Sequence, residues 1–348
     1  RRKTYMKNVT KILTAVVLCA ALFASQQRVD ALGGNAAMWD DEANTAAFPA
    51  QVNNHAYLQF TGVADGTDNT TGGASLLFQN DGTTWGFNYG ANDDWVNMSW
   101  GDGNQGVTVG MESTTGSTTA GDASDMSVSW GSTFAWGEVG VHYETVDNGD
   151  GDAMLGVDFR RAQDIWLFDN LVVSAADLMA DDLAFGADFF THMDAGGADI
   201  AFGWGANYNG AAGIDASADT MGCDADGNAH PTAGLACDDA VARADVASLT
   251  QTATIGVEAN MTDWATLRAG YNWSHELACD NGNDLGGDSD DNCGGNASGF
   301  SWGLGFNWGG LIADFTVNST LLQDPIGTVT GFGDGGLTDK SITLTYSF

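Results

Sequence analysis

The sequence predicts an all-β chain, a transmembrane antiparallel up-and-down β-barrel of 16 strands with short turns at one end and long loops at the other. Three observations predict it. The closing stretch Thr338–Phe348 alternates strictly, with Ile342, Leu344, Tyr346 and Phe348 on one face and Ser341, Thr343, Thr345 and Ser347 on the other. That is a strand with one apolar and one polar side. Near the start, Lys7 and Lys11 precede an apolar core, Ile12 to Ala24, of 13 residues. It is too short to span a bilayer and has the form of a secretory leader. Finally, no later segment approaches a membrane-spanning helix, which excludes a helical bundle and leaves open a barrel, whose apolar residues come every second position.

The elements follow in chain order. Met6 is read as the start, with Arg1 to Tyr5 as preceding sequence, and Val29-Asp30-Ala31 places leader cleavage after Ala31. Cys19 follows Leu18, where a lipoprotein site would need a small residue. The domains expected are therefore a signal peptide over 1–31, a periplasmic N-terminal segment over 32–53 and a barrel over 54–348. Alternation predicts strands over 54–62, 74–80, 83–91, 94–101, 105–112, 125–134, 136–146, 152–161, 165–177, 182–192 and 198–209. Five more follow: Leu249 to Met261, Trp264 to Ser274, Ala297 to Trp308, Leu311 to Leu321 and the terminal strand. Every predicted connection longer than five residues then falls at the same end of the barrel, as it should if strands alternate direction through a membrane. Fourteen strands, losing one hairpin, is the alternative count; a soluble sandwich would show the same alternation without the leader or the loop asymmetry.

Charge narrows the function. The chain carries 46 acids against 11 Lys and Arg, a formal net charge of −35. Six of those 11 bases but only one of the acids lie within residues 1–31, so the remainder holds five bases and 45 acids, a net −40. Nucleic acid and anionic surfaces are poor partners for such a charge, and cations or small solutes are favoured. Surface acidity for solubility in salt is the plainer account of the same charge.

Alternation assigns Glu112, Glu138, His142, Glu144, Asp158, Arg160, Asp188, His192, Glu258, Arg268 and Asp314 to the inner wall, among Ser, Thr, Asn and Gly. Unpaired charges buried in protein would cost several kcal/mol each. A hydrated lumen avoids that cost, and sixteen strands leave room for one. Arg160 and Arg268 are expected either to face acids across a constriction or to neutralise near neighbours, Asp158 for Arg160. Arg161 is expected on the lipid side. Acid–His pairs occur at Asp188/His192 and His142/Glu144, but same-face strand neighbours lie about 7 Å apart. Neither a nucleophile elbow, a His-Glu-x-x-His helix nor a phosphate loop occurs, so an enzyme is not expected.

Four cysteines follow the leader, Cys223, Cys237, Cys279 and Cys293, in the two longest predicted loops. An even number in an exported chain implies disulfides, most simply Cys223–Cys237 and Cys279–Cys293, with cross-loop pairing as the alternative. The same loops hold Asp224, Asp226, Asn228, Asp284, Asp288 and Asp290, oxygen donors on alternate residues of the kind a calcium loop uses; a solvated acidic loop is the competing account. No cofactor is required, and calcium is the one these loops would take.

Two resemblances add to this. The alternating strand ending on Tyr346 and Phe348 resembles the closing strand of Gram-negative outer-membrane barrels, where it serves as the assembly signal. It implies a porin-like protein of the outer membrane, in contact with lipid and the barrel-assembly machinery, and trimeric if it follows the porin habit. Gly33-Gly34, then Asp40-Asp41-Glu42-Ala43-Asn44, then Phe48-Pro49-Ala50 resembles the Gly-Gly … Asp-Asp-Ala … Asn-Pro-Ala segment of FadL-like and PorV-like barrels, with Phe48 in place of Asn. In those families the segment lies at or inside the periplasmic mouth. The expected function is a passive, weakly cation-preferring channel for small hydrophilic solutes. The alternatives are a plugged transporter of apolar molecules, for which Leu77 and Phe190 are inward candidates, and a non-conducting structural or secretion-associated barrel.

Overall fold

The computed structural model describes residues 26–63, 73–89, 96–114, 123–145, 153–179, 183–210, 247–280, 296–317 and 342–348. Sixteen strands form one closed antiparallel barrel in which each strand pairs with its sequence neighbours and the first pairs with the last. They are β1 (Tyr57–Val63), β2 (Ala74–Asn80), β3 (Thr83–Tyr89), β4 (Val96–Gly101), β5 (Gln105–Thr114), β6 (Ala123–Phe134), β7 (Gly137–Glu144) and β8 (Met154–Ile165). The second half comprises β9 (Phe168–Ala176), β10 (Ala184–Asp194), β11 (Ala198–Asn209), β12 (Ala247–Thr262), β13 (Ala265–Asp280), β14 (Asn296–Trp308), β15 (Leu311–Thr316) and β16 (Ile342–Ser347). The count is sixteen, not fourteen. Closure is made by Tyr57↔Ser347, Gln59↔Thr345 and Phe60↔Leu344 between β1 and β16.

The turns at one end are tight. Asp81 and Gly82 link β2 to β3, both with positive φ (51° and 79°), as a mirror-image two-residue hairpin turn requires. Gly309 and Gly310 do the same between β14 and β15. Most of the long predicted loops at the other end lies outside the described residues, and with it Cys223, Cys237, Cys293 and all six candidate calcium residues; β13 runs to Asp280, past the predicted strand end at Ser274, so the start of the predicted 275–296 loop is strand. Cys279 lies in β13.

The outward face carries the aromatics. Phe306 stacks on Trp264 and Trp308 at centroid distances of 5.9 and 5.6 Å, and Phe134 stacks on Trp136 at 4.8 Å. These rings, with Trp166 at 89 % exposure, sit beside the tight turns, where a girdle would meet the membrane interface. Gly303, on the opposite face, looks onto the lumen, because a Cβ there would meet Ala31 of the N-terminal segment.

The first strand begins at Tyr57 rather than residue 54. Pro49 opens a 3-10 turn over Pro49–Asn54, Asn53 Nδ2 donates to the Ala50 carbonyl at 2.9 Å, and the His55 N–H closes the turn on Val52. Local side-chain to backbone bonds of this kind draw Asn away from a ladder. Upstream lie helix α1 (Gln26–Ala31), a 3-10 turn over Ala36–Met38 and the short helix α2 (Asn44–Ala47). Among the described residues, no helix is long and apolar enough to cross a membrane.

Candidate functional site: the occupied lumen

Among the described residues, most of the best-buried large side chains belong to the segment before the barrel. Val29, Leu32, Met38, Asp41, Phe48, Pro49 and Val52 are each under 2 % exposed or close to it. Leu32, Met38, Trp39 and Phe48 form an apolar cluster with Val172, Phe190 and Ala201 of the inner wall; Val52 forms a second with Tyr57 and Leu77. Covering each large apolar side chain contributes about 1.5–3 kcal/mol. The inward apolar residues are thus consumed in seating the segment.

Contacts run round the whole circumference. Gln27 accepts from Thr316 of β15 through its carbonyl and from Thr343 of β16 through its side chain. Glycines let the backbone come close: a Cβ at Gly303 of β14, Gly270 of β13, Gly256 of β12 or Gly203 of β11 would run into Ala31, Leu32, Trp39 or Met38. His192 of β10 meets the Met38 carbonyl at 2.5 Å, and Val172 of β9 lies in the cluster with Phe48. Arg160 of β8 lies over the Phe48 ring, 4.6 Å from its centroid, and His142 of β7 meets the Ala47 carbonyl at 3.0 Å. Gly131 of β6, Gly106 of β5 and Gly101 of β4 abut Ala50, Pro49 and Asn53. Residues 49–54 lie beside β3, Gln79 of β2 donates to the Asn53 carbonyl, and Gln59 of β1 donates to Glu42 at 2.6 Å. All sixteen strands touch the segment, each near its tight-turn end.

Charge fixes one side of it. Arg28 donates to both Glu258 oxygens, at 2.7 and 3.1 Å, and to Asp41 at 3.2 Å. Glu258 lies opposite Arg268 in the β12–β13 ladder and accepts from it at 2.6 Å; Arg268 also reaches Asp314 at 2.5 Å. Two guanidiniums and three carboxylates therefore alternate in one buried chain. Burial pushes Asp41 up to about 6, against the pull of Arg28, and pushes Glu42 well above the usual carboxylate range, with Asp41 adding to the rise. His55, buried, is held below the usual imidazole value.

Nine of the eleven wall residues read from alternation have described inward contacts or positions in this layer or just above it. Glu258, Arg268 and Asp314 are not washed by a water-filled lumen as expected: the side chains of Arg268 and Asp314 are 7 % and 1 % exposed. The segment covers them, and reciprocal pairing replaces hydration. Arg160 pairs not with Asp158 but with Glu138 on the adjacent strand, at 2.5 Å. The ladder places Arg160 directly opposite Glu138, while Asp158 lies opposite Gly140. His142 instead faces Asp158 at 3.0 Å and His192 faces Asp199 at 3.1 Å, so neither histidine pairs with the acid nearest it in sequence. Glu144 is half-buried in β7 and Glu112 is in β5, where only its backbone is described. Arg161 is exposed on the outer face.

Sequence reasoning missed Gln27, Arg28 and Asp41. The signal was present as glycine on the inward face of strand after strand at one level, a wall shaped for a close-lying backbone.

On the loop side of the segment lies a cavity of about 520 Å³. Its floor is Gly33, Gly34, Asn35 and Ala36, and its walls include Asp188, Asn207, Thr252, Thr254, Asn272, Ser274 and Ser298.

No protein-family model and no curated protein sequence matches the chain. Among solved structures it is similar to a refined porin (TM-score 0.42, 8 % identity, 84 % of this chain and 97 % of that one). It is also similar to the CymD monoaromatic hydrocarbon channel (0.40, 10 %, 92 % and 97 %) and to Salmonella typhi OmpF in complex with daunomycin (0.37, 11 %, 84 % and 96 %).

Proposed function

We propose that this closed sixteen-stranded barrel is a porin-like outer-membrane channel for small hydrophilic solutes, cation-preferring, whose tight-turn end is stoppered by its own N-terminal segment. The observation that carries it is the cavity of about 520 Å³, walled by amides, hydroxyls and one carboxylate, directly above a segment tied to the wall by the Arg28–Glu258 ion pair. A sixteen-stranded barrel is wide enough to conduct once that segment moves. An excess of acids in the chain favours cations at the mouth.

An apolar cargo fits less well. Leu77, Val172 and Phe190, the inward apolar residues such a path would use, are already covered by Val52, Phe48 and Met38. Tight turns, a leader and the aromatic-ended closing strand support placement in the outer membrane of a Gram-negative cell, with lipid and the assembly machinery as partners. A trimer would fit the porin habit.

Planar-bilayer recording tests this. Brief openings with a reversal potential favouring K⁺ in a KCl gradient are expected for the full chain. Silence in both the full chain and a variant with the segment loosened would remove the channel, and anion preference would remove the electrostatic part.

A further inference from the structure

We infer that the cavity above the segment is a binding site for a small organic cation rich in N–H donors, a guanidinium or primary ammonium compound. The inference deepens the channel proposal and rests on it for the route by which solute arrives. Among the described residues, the cavity wall holds one carboxylate, Asp188, and no basic side chain. Arg28 and Arg268, the cations nearest in the layer below, are engaged with Glu258, Asp41 and Asp314. No hydrogen bond or ion pair joins the Asp188 carboxylate to another described residue.

The wall is also shaped to present acceptors. A Cβ at Gly205 would strike the Asp188 carboxylate and meet the Thr252 hydroxyl at 2.8 Å, so both oxygens lie together over that glycine. Gly299 makes the same room for the Asn272 carbonyl oxygen, at 2.7 Å from where a Cβ would stand, and Gly186 for that of Asn207, at 2.7 Å. The Asn272 amide nitrogen points the other way, to the Gly33 carbonyl at 3.5 Å. Oxygens thus converge from four successive strands, β10 to β13, onto a space far larger than a bare metal ion. A guanidinium, with five donors and no acceptor, complements such a set. Gly33 and Gly34, both at positive φ, floor the site with backbone alone.

The test uses the full chain folded in detergent, with folding checked by heat-modifiable mobility, and calorimetric titration with methylguanidinium chloride and with glucose. Saturable one-to-one binding of methylguanidinium, weakened about tenfold or more in Asp188→Asn, with no binding of glucose, is expected. Gly205→Ala, whose methyl displaces the carboxylate, should weaken binding in the same direction. Absence of saturable binding, binding indifferent to both substitutions, or equal binding of glucose would overturn the inference. Conductance of the same preparation separates the two ideas: current without binding removes only the site, and binding without current removes only the channel.

Discussion

Arg28 Nε lies 2.7 Å from Glu258 Oε2, although 230 positions separate them in sequence. The guanidinium also meets the second Glu258 oxygen at 3.1 Å, the fork-to-fork geometry that makes such pairs strong. One residue belongs to the segment and the other to β12, so this pair spans the boundary between segment and wall.

Arg28→Ala should loosen the segment. Removing one partner of a buried pair costs about 3–5 kcal/mol, because the other charge stays buried and uncompensated. The population with the segment displaced should rise on the order of a hundredfold or more, seen as a large increase in open time in bilayers. Arg28→Lys, which keeps the charge but loses the fork, should fall between. An unchanged trace would show that the pair does not hold the segment.

The mature chain should retain Gln27 to Ala31. Cleavage after Ala31, expected from Val29-Asp30-Ala31, would remove Arg28 and the contacts of Gln27 with Thr316 and Thr343. Intact mass of the protein extracted from outer membranes decides it: a mass beginning at Leu32 would mean that Glu258 and Arg268 face the segment without Arg28.

Gly140→Val should displace the segment without breaking the wall. A Cβ at Gly140 would run into the Ala47 carbonyl, while the β6 and β8 ladders on either side would still form. Arg28, 5 % exposed in the seated state, should become a site of trypsin cleavage, with heat-modifiable mobility unchanged. Continued resistance to trypsin would place the segment's anchorage elsewhere.

Acidification should seat the segment more firmly. Asp41 at about 6, and Glu42, also raised by burial, hold protons when seated that they would lose on release into water. The Asp41 contribution to seating is therefore full below about 4 and is lost as pH rises through about 6, and that of Glu42 has the same sign. His55 works the other way, since burial lowers its value and its share is lost as pH falls below about 6.5. Two carboxyls outweigh one imidazole, with Arg28, Glu258 and Asp314 facing the same place. Open probability should fall several-fold from pH 7.5 to pH 5, and less in Asp41→Asn. A rise on acidification would mean that His55 dominates.

Much of the barrel was legible because period-two alternation survives every other demand on a strand. Phe306 out and Gly305 in is a statement about pleat alone, and it holds along β14. Parity of long and short connections fixed the count for a similar reason, since an even barrel cannot mix its ends. What alternation lacks is depth and partner. It puts Arg160 and Asp158 on one face, but only the ladder register sets Arg160 across from Glu138. It marks Glu258 as inward, but says nothing of a segment from the far end of the chain covering it. Residues 26–55 carry no sustained period of their own; their conformation is set by the wall they meet.

The seam between β1 and β16 bears on how such a molecule comes to exist. Gln27, in the segment before the barrel, accepts from the hydroxyl of Thr343 in β16, 316 positions further along the chain. Glu42 is linked through Gln59 to Thr345 of that same final strand. The seat of the segment is therefore complete only when β16 has paired with β1. Whatever zips the sheet shut also sets the seal.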